Sequence, residues 1–283
     1  MSADHFSTWE EAVCWLKQQA DQNQLVIDCY YDDPLIQAVE RYYRSEEWKA
    51  VRFELNNSSG AALDVGAGRG IASYALAREG FAVTALEPDS SNLVGSAAIR
   101  ALATESGLPI HVVEEFSERL PFGDGEFDLV FARAVLHHTQ DLKAACREFF
   151  RVLKPGGQFI AIREHVITRQ KDLPHFLERH PLQKLYGGEN AFLLRQYAAA
   201  IKQAGFAPLR IISPWDSPIN YAPHNLQSLQ RDLSRRLSFN IPGINRMIQT
   251  FLGLPGVWFL IKKMLELIDN RPGRLYSFVA VKS

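Results

Sequence analysis

A glycine-rich run between residues 62 and 70 constrains the fold of this 283-residue chain more than any other feature. It reads as an apolar strand that ends in Asp64, followed by the turn Gly66-Ala67-Gly68-Arg69-Gly70 and the start of a helix. Glycines allow the backbone to adopt positive φ and to approach a ligand closely. No lysine follows the glycines, which argues against a phosphate-binding P-loop. An acid beside the turn instead suits a ligand that carries a cationic amine or hydroxyl groups.

A second acid follows at the spacing that dinucleotide-type folds use. The apolar run 81–86 ends at Glu87, which lies 21 residues after Gly66. In such folds an acid about 20 residues beyond the glycine turn ends the second strand and accepts hydrogen bonds from ribose hydroxyls. Between residues 61 and 161, strand patterns alternate with helical patterns through short connections. This alternation predicts a parallel sheet covered by helices on both faces.

Over about residues 59–165 the chain resembles the class I S-adenosylmethionine-dependent methyltransferases, of the methyltransferase type 11 kind. The motifs that carry the resemblance are D-V-G-A-G-R-G at 64–70, E-P-D at 87–89, L-P-F at 120–122, F-D-L-V at 127–130 and L-K-P-G-G at 153–157. Two outer stretches, 42–48 and 180–190, are similar to methyltransferases found among bacterial surface-polysaccharide enzymes. The resemblance implies S-adenosylmethionine as the cofactor.

These patterns and the resemblance together predict an α/β fold. We expect a Rossmann-like, doubly wound, seven-stranded sheet with an antiparallel last strand, an N-terminal helical cap and a helical insertion before the last strand. The antiparallel strand is implied by the resemblance, since methyltransferases of this class pair their final strand with the sixth. The predicted units are the cap over 1–58, the S-adenosylmethionine-binding core over 59–216, the insertion over 217–273 and the final strand over 274–283.

The resemblance assigns the cofactor site to the ends of the first four strands. Glu87 would accept both ribose hydroxyls, because a carboxylate offers two acceptor oxygens. Many relatives carry an aspartate for the adenine amino group where this chain has Phe116. Adenine would therefore stack on Phe116 and bond near Ser117, or Glu118 would substitute. The predicted cofactor-binding residues are Asp64, Gly66, Ala67, Gly68, Glu87, Pro88, Ser117, Glu118, Ala132 and Arg133.

Residues after the fourth and fifth strands are the candidates for chemistry at the acceptor. His137 and His165 are candidate catalytic bases, because methyl transfer to an alcohol needs a proton removed and histidine accepts one near neutral pH. Both follow the carboxyl ends of strands, the edge where open α/β sheets bind ligands. Arg133 either binds an acidic substrate group or forms a structural salt bridge. The predicted substrate-binding residues are Tyr31, Arg133, His138 and Glu164.

The predicted function is methyl transfer to a small or lipid- or sugar-linked acceptor, with an oxygen as the favoured acceptor atom. Sulfonium is a good leaving group, so proximity and alignment supply much of the rate. No clustered carboxylates or paired histidines stand out in the sequence as ligands, so no metal is predicted. One alternative is a nicotinamide-dependent oxidoreductase, although the third glycine comes one position early for that fingerprint. The other is a non-catalytic module that binds S-adenosylmethionine.

Charge and cysteine content bear on partners and location. A net charge of −1 gives no general attraction to nucleic acid. Three widely spaced cysteines and the polar first 25 residues predict a cytoplasmic protein without a signal peptide. Residues 226–268 are both basic and apolar, and they form either a helical subdomain on the sheet edge or a contact with the inner face of a membrane. The predicted partner is a small-molecule or lipid-linked glycan acceptor, and the oligomeric state is left open.

Overall fold

The computed structural model describes residues 6–56, 59–238 and 241–283. Within them, eight strands form one mixed sheet: β1 (Gly60–Val65), β2 (Phe81–Leu86), β3 (Ile110–Val113), β4 (Phe127–Arg133), β5 (Leu153–Ile167), β6 (Phe192–Leu193), β7 (Leu209–Ile212) and β8 (Arg274–Val281). Their order is β3-β2-β1-β4-β5-β8-β7, and the short β6 pairs with β5 beside that path. The predicted boundary between cap and core falls at residues 57–58, outside the described residues.

The sheet is parallel through its first five strands. β1 pairs with β2 and β4, β2 with β3, and β4 with β5. β8 is antiparallel to both β5 and β7, which confirms the predicted antiparallel last strand. The sheet has eight strands where seven were predicted, because the two residues of β6 pair with the extended end of β5. The strand order reverses between β1 and β4, so a crevice opens at their carboxyl ends.

Fourteen α-helices surround the sheet in the described chain. They are α1 (Trp9–Gln18), α2 (Asn23–Asp28), α3 (Leu35–Tyr43), α4 (Glu46–Arg52), α5 (Ile71–Glu79), α6 (Ser96–Ser106), α7 (Leu142–Val152), α8 (Leu173–Arg179), α9 (Pro181–Leu185), α10 (Leu194–Ala204), α11 (Pro218–Tyr221), α12 (Leu226–Leu237), α13 (Pro242–Leu252) and α14 (Pro255–Ile268). Short 3₁₀ turns lie at Ala20–Gln22, Leu136–His138 and Gln170–Asp172.

Two cores lie on opposite faces of the sheet, because successive strand residues point in opposite directions. Phe131 of β4 packs with Trp48 of α4 on one face, together with residues of α3 and α5. Val130, its neighbour in β4, packs on the other face with Phe149 of α7 and Tyr197 of α10. This double covering accounts for the nearly continuous apolar sequence of β4, and it matches the doubly wound prediction.

The N-terminal helices are fastened to the glycine turn by Arg69. Its guanidinium donates to the carbonyl oxygens of Tyr30 and Asp32 at 3.1 and 3.2 Å, and to the carboxylate of Asp33 at 2.9 Å. Arg69 is 5% exposed, although the carboxylate of Asp33 that it reaches is 54% exposed. The cap therefore lies against the carboxyl end of β1.

Helices α11 to α14 lie between β7 and β8. Several of their apolar side chains face outward, and Met247, Leu260 and Leu267 are 68%, 68% and 84% exposed. None of the described helices has the length and apolar character needed to cross a bilayer. A cavity of about 680 Å³ separates these helices from the start of β8, and its lining includes Trp215, Leu229, Arg236, Trp258, Arg271 and Gly273.

Candidate active site

The glycine turn forms one wall of the crevice at the end of β1. Gly66 and Gly68 have φ of 60° and 57°, a region that L side chains rarely adopt. A Cβ added to Gly66 would lie 2.7 Å from Cγ2 of Val135, in the segment after β4. A Cβ added to Gly68 would meet nothing nearer than the Val94 carbonyl oxygen at 3.9 Å. The turn thus packs tightly at Gly66 and leaves space for a ligand beside Gly68.

Glu87 connects the end of β2 to this turn. Its Oε2 accepts the N–H of Gly68 at 2.7 Å, and its Oε1 accepts the N–H of Asp89 at 2.9 Å. Burial raises the pKa of Glu87 to about 7, although both N–H donors favour the ionised form. A carboxylate has about four lone-pair sites, so each oxygen keeps capacity for one more donor. The carboxylate therefore fits the two ribose hydroxyls of S-adenosylmethionine.

Asp64 lies beneath the turn rather than on its open side. It is 1% exposed, and its Oδ2 accepts the hydroxyl hydrogen of Ser73 in α5 at 2.5 Å. Burial raises the pKa of this carboxyl to about 7. These contacts make Asp64 a support for the strand–turn–helix junction, and its direct contact with a cofactor amine stays a prediction.

The remaining predicted cofactor residues lie around the same edge. Phe116, after β3, is 62% exposed and offers an open ring face for stacking. The hydroxyl of Ser117 donates to Glu118, whose other oxygen accepts the N–H of Gln140 at 2.8 Å. Glu118 therefore joins the loop after β3 to the loop after β4. Pro88 is exposed, whereas Ala67 and Ala132 are buried.

Arg133 forms a salt bridge within the protein, which was one of the two roles predicted for it. Its Nε and Nη2 donate to the carboxylate of Glu47 at 2.6 and 3.1 Å. The guanidinium also lies over the rings of Tyr30 and Tyr42, 5.5 and 5.2 Å from their centroids. The contacts of Arg133 thus join β4 to the cap, and its binding of an acidic substrate group stays a prediction.

Tyr31 and His138, both predicted to bind substrate, also have partners within the chain. The hydroxyl of Tyr31 accepts a hydrogen bond from the indole N–H of Trp9 in α1 at 3.2 Å. Nδ1 of His138 lies 3.0 Å from the carbonyl oxygen of Gly188, and the His138 ring is exposed. His138 is therefore the more accessible of the two.

His137, Glu164 and His165 meet where β4 and β5 end. Glu164 accepts the backbone N–H groups of Val135, Leu136 and His137, each at 3.1 Å, and its Oε2 lies 2.7 Å from Nδ1 of His137. The ring of His165 lies 4.7 Å from that of His137. The structure thus brings the two candidate bases together. Glu164 is fully buried against His137, and its predicted contact with substrate stays a prediction.

Burial disfavours the charged forms of His137 and His165. Burial lowers the pKa of His137 and of His165 well below the ordinary range. Burial raises the pKa of Glu164 to about 7, while the three backbone N–H donors oppose that shift. With a carboxylate acceptor at Nδ1, the proton of His137 belongs on Nδ1, and Nε2 carries the free lone pair.

Two residues of the stretch 180–190, neither of them predicted as a site residue, complete the cluster. Oε2 of Glu189 lies 3.8 Å from Nε2 of His137, and Oε1 of Glu189 lies 3.7 Å from Nδ1 of His180. Both residues lie in the segment between β5 and β6. Because β6 pairs with the end of β5, this segment must return to the same edge of the sheet. Had β6 been predicted from the sequence, it would have indicated that Glu189 lies at this edge.

Comparison with known sequences identifies methyltransferases as relatives. Residues 63–161 match a family model described as a methyltransferase domain. A ubiquinone biosynthesis O-methyltransferase from Methylobacterium nodulans is 36% identical over 99 residues, which are 35% of this chain and 39% of that protein. The uncharacterized methyltransferase YcgJ from Bacillus subtilis is 29% identical over 164 residues, which are 56% of this chain and 61% of that protein. The chain spans less than two thirds of the length of either relative.

Solved structures share the fold along most of the chain. Geranyl diphosphate C-methyltransferase from Streptomyces coelicolor, determined with Mg²⁺, geranyl diphosphate and S-adenosylhomocysteine, has a TM-score of 0.59 at 15% identity and covers 98% of this chain and 99% of its own. The YcgJ structure has a TM-score of 0.51 at 18% identity, over 84% of this chain and 97% of its own. The fold and the glycine turn define a Rossmann-like S-adenosylmethionine site. Residues 63–161 therefore carry a methyltransferase domain, and the chain has the fold of the class I S-adenosylmethionine-dependent methyltransferases.

Proposed function

We propose that the protein transfers a methyl group from S-adenosylmethionine to an oxygen of a small or lipid- or sugar-linked acceptor. The observation that carries the proposal is the contact between Gly66 of the cofactor turn and Val135, two residues before His137. This contact puts the cofactor turn and the lone pair of an uncharged imidazole on one edge of the sheet. Methyl transfer to a hydroxyl needs both.

The chain's own residues account for binding and orientation. Glu87 would hold the ribose hydroxyls, Phe116 would stack on adenine, and the space beside Gly68 would accept the methionine part. Bound S-adenosylmethionine supplies a methyl group on a good leaving group. Nε2 of His137 would accept the acceptor's proton, and Glu164 would keep the imidazole oriented and stabilise its charged form.

The cavity beside α12 and α14 supports an acceptor with an apolar part and an anionic group. Trp258 and Leu229 supply apolar surface, and Arg236 supplies a bidentate donor for phosphate or carboxylate. Gly273 lines this cavity, and its carbonyl oxygen lies 2.9 Å from Nδ1 of His165. The cavity and the histidines therefore share a wall. A volume of about 680 Å³ suits a ligand of drug-like size.

The exposed apolar side chains of α13 and α14 support contact with a membrane surface, from which a lipid-linked acceptor would be taken. Binding of the protein to vesicles that contain anionic lipid tests this part. We expect co-sedimentation that weakens when Met247 and Leu260 are both replaced by Ser. Equal sedimentation with and without vesicles would remove the membrane from the proposal.

Calorimetric titration with S-adenosylmethionine and S-adenosylhomocysteine tests the cofactor site. We expect Glu87→Gln to weaken cofactor binding at least tenfold, about 1.4 kcal/mol. Glu105→Gln, an exposed acid of α6, is the matched control and should leave the affinity unchanged. Equal affinities for wild type and Glu87→Gln would remove Glu87 from the site. Binding of a nicotinamide cofactor instead would favour the oxidoreductase alternative.

Acceptor chemistry is tested with S-adenosylmethionine that carries a labelled methyl group. Lipid-linked sugars, sugar phosphates and phenolic lipids are supplied separately, and the products are separated and treated with mild base and acid. An ether-linked label on one acceptor class supports the proposal. A label on nitrogen or carbon would contradict the oxygen assignment while leaving the cofactor site intact.

A further inference from the structure

We infer that His137, His165 and Glu189 form a binding site for a divalent first-row transition-metal ion. Each residue offers one ligand atom, and the three atoms lie within 4.8 Å of one another. The ligands come from three places: the turn after β4, the end of β5 and the segment before β6. This inference does not rest on the proposed methyl transfer, because metal binding is measured without cofactor or acceptor.

Hydrogen bonds around the cluster assign the ligand atom of each imidazole. Nδ1 of His137 lies 2.7 Å from Oε2 of Glu164, and Nδ1 of His165 lies 2.9 Å from the carbonyl oxygen of Gly273. The carbonyl of Gly273 can only accept, so the proton of His165 lies on Nδ1. Three backbone N–H groups favour the ionised form of Glu164, which places the proton of His137 on Nδ1 as well. Both Nε2 atoms then carry a lone pair. Histidines that bind metals almost always donate their second ring N–H to a carboxylate or a carbonyl in this way.

Glu189 lacks the partner that a buried carboxylate requires. Its side chain is 8% exposed, and its Oε2 accepts no hydrogen bond from any described residue. Such a group is costly to bury unless a donor or cation compensates it. A bound cation would supply that compensation.

The separations fit an ion after a small movement. Oε2 of Glu189 lies 3.8 Å from Nε2 of His137. Two ligand atoms in a tetrahedral zinc site lie about 3.3 Å apart, so this pair would need to close by about 0.5 Å. The other oxygen of Glu189 lies 3.7 Å from Nδ1 of His180, which would hold the carboxylate from its outer side.

The ligand set indicates the class of ion. Two imidazoles and one carboxylate suit Zn²⁺ and its neighbours, whereas Mg²⁺ and Ca²⁺ prefer oxygen ligands. Three protein ligands leave a position for water or for an acceptor oxygen, and a coordinated hydroxyl loses its proton more readily than a free one. The lone pair of His137 cannot hold an ion and a proton together. Metal content therefore decides which of these two functions that imidazole performs.

The test uses the complete chain without a polyhistidine tag, stripped with a chelator and dialysed. Titration with ZnCl₂ is expected to give one ion per chain with a dissociation constant below about 1 μM. Replacement by Co²⁺ is expected to give visible absorption bands of a site with nitrogen ligands. Calorimetric titration with MgCl₂ is expected to show no heat of binding. Failure of the wild-type protein to bind Zn²⁺ and Co²⁺ would overturn the inference.

Variants locate the site. Glu189→Gln and His165→Gln are expected to weaken Zn²⁺ binding by about 100-fold or more, because each removes a ligand atom. The exposed residues Glu178 and His111 provide the controls Glu178→Gln and His111→Gln, which should bind Zn²⁺ as the wild type does. Binding by Glu189→Gln that equals the wild type would overturn the assignment even if His165→Gln fails to fold.

Cofactor titration of the stripped wild-type protein separates this inference from the proposed function. S-adenosylmethionine is expected to bind with unchanged affinity when the ion is absent, because the glycine turn and Glu87 contribute no ligand to the cluster. A protein that binds the cofactor but no ion contradicts the metal site alone. A protein that binds the ion but no cofactor contradicts the proposed function alone.

Discussion

Arg133 and Glu47 form a two-point ion pair that joins the end of β4 to α4. Nε of Arg133 lies 2.6 Å from Oε1 of Glu47, Nη2 lies 3.1 Å from Oε2, and Glu47 is 1% exposed. Burial opposes ionisation of Glu47, but Arg133 and Arg163 together hold its pKa below the ordinary value. The cap is thus attached to β4, the strand that is followed by His137.

Removal of the Glu47 charge is expected to destabilise the protein strongly. Glu47→Gln leaves Arg133, whose side chain is only 21% exposed, without its counter-charge, and such a change costs about 3 kcal/mol. Urea denaturation followed by circular dichroism measures the loss. Glu46→Gln is the matched control, because Glu46 forms a surface pair with Lys49 that contributes little. Equal midpoints for the two variants would contradict a structural role for the buried pair.

The packing of Gly66 against Val135 can be separated from its backbone conformation. Gly66→Ala adds both positive-φ strain and a Cβ 2.7 Å from Val135, so we expect a loss of about 2–4 kcal/mol in unfolding free energy. Gly107→Ala adds strain alone, since a Cβ there has no neighbour within 4 Å, and about 1 kcal/mol is expected. Thermal unfolding compares the two. If Val135→Ala, combined with Gly66→Ala, recovers none of the extra loss of unfolding free energy, contact with Val135 is not the cause of that loss.

Cofactor affinity is expected to rise with pH across neutrality. Burial raises the pKa of Glu87 to about 7, and its ionised form accepts hydroxyl hydrogen bonds better than its neutral form. Ionisation rises from about one tenth at pH 6 to about nine tenths at pH 8, so the association constant should increase by up to about tenfold. Calorimetry at pH 6, 7 and 8 measures it.

The same pH series identifies the titrating group. Glu87→Gln is expected to remove the increase in affinity. Asp64 has a pKa of about 7 as well, so Asp64→Asn is measured in parallel and should retain most of the increase. If the rise of affinity with pH persists in Glu87→Gln and disappears in Asp64→Asn, the titrating group is Asp64.

His137 is expected to affect turnover and not cofactor binding. His137→Ala should lower methyl transfer about 100-fold or more, because the group that removes the acceptor's proton is lost. The dissociation constant of S-adenosylmethionine should stay within about twofold of the wild type. His111→Ala, at an exposed position of β3, controls for loss of a histidine. Unchanged turnover in His137→Ala would exclude His137 as the base and leave His165 as the candidate.

Local sequence patterns predicted the parts of the fold that local forces determine. The glycine turn predicted where β1 ends, and Glu87 predicted where β2 ends. The strand–helix alternation predicted the parallel sheet. The positions of His137 and Glu164 after neighbouring strands predicted their common edge.

Contacts between distant residues could not be predicted in this way. Glu47 and Arg133 are 86 residues apart, and no periodic pattern joins an acid on a helix to a base on a strand. Glu189 reaches the cluster only because β6 pairs with β5, and two residues are too few to give a strand pattern. No metal was predicted from spacing along the chain, and the ligand set inferred above comes together only through the return of this segment to the sheet.

Arg69 couples the segment 30–33 to the cofactor turn. The residue belongs to the turn, yet its hydrogen bonds are made with Tyr30, Asp32 and Asp33. Truncation of the chain before residue 34 would remove every one of those partners and leave a buried guanidinium without acceptors. Loss of this segment is therefore expected to weaken cofactor binding, although every glycine of the turn and Glu87 would be intact.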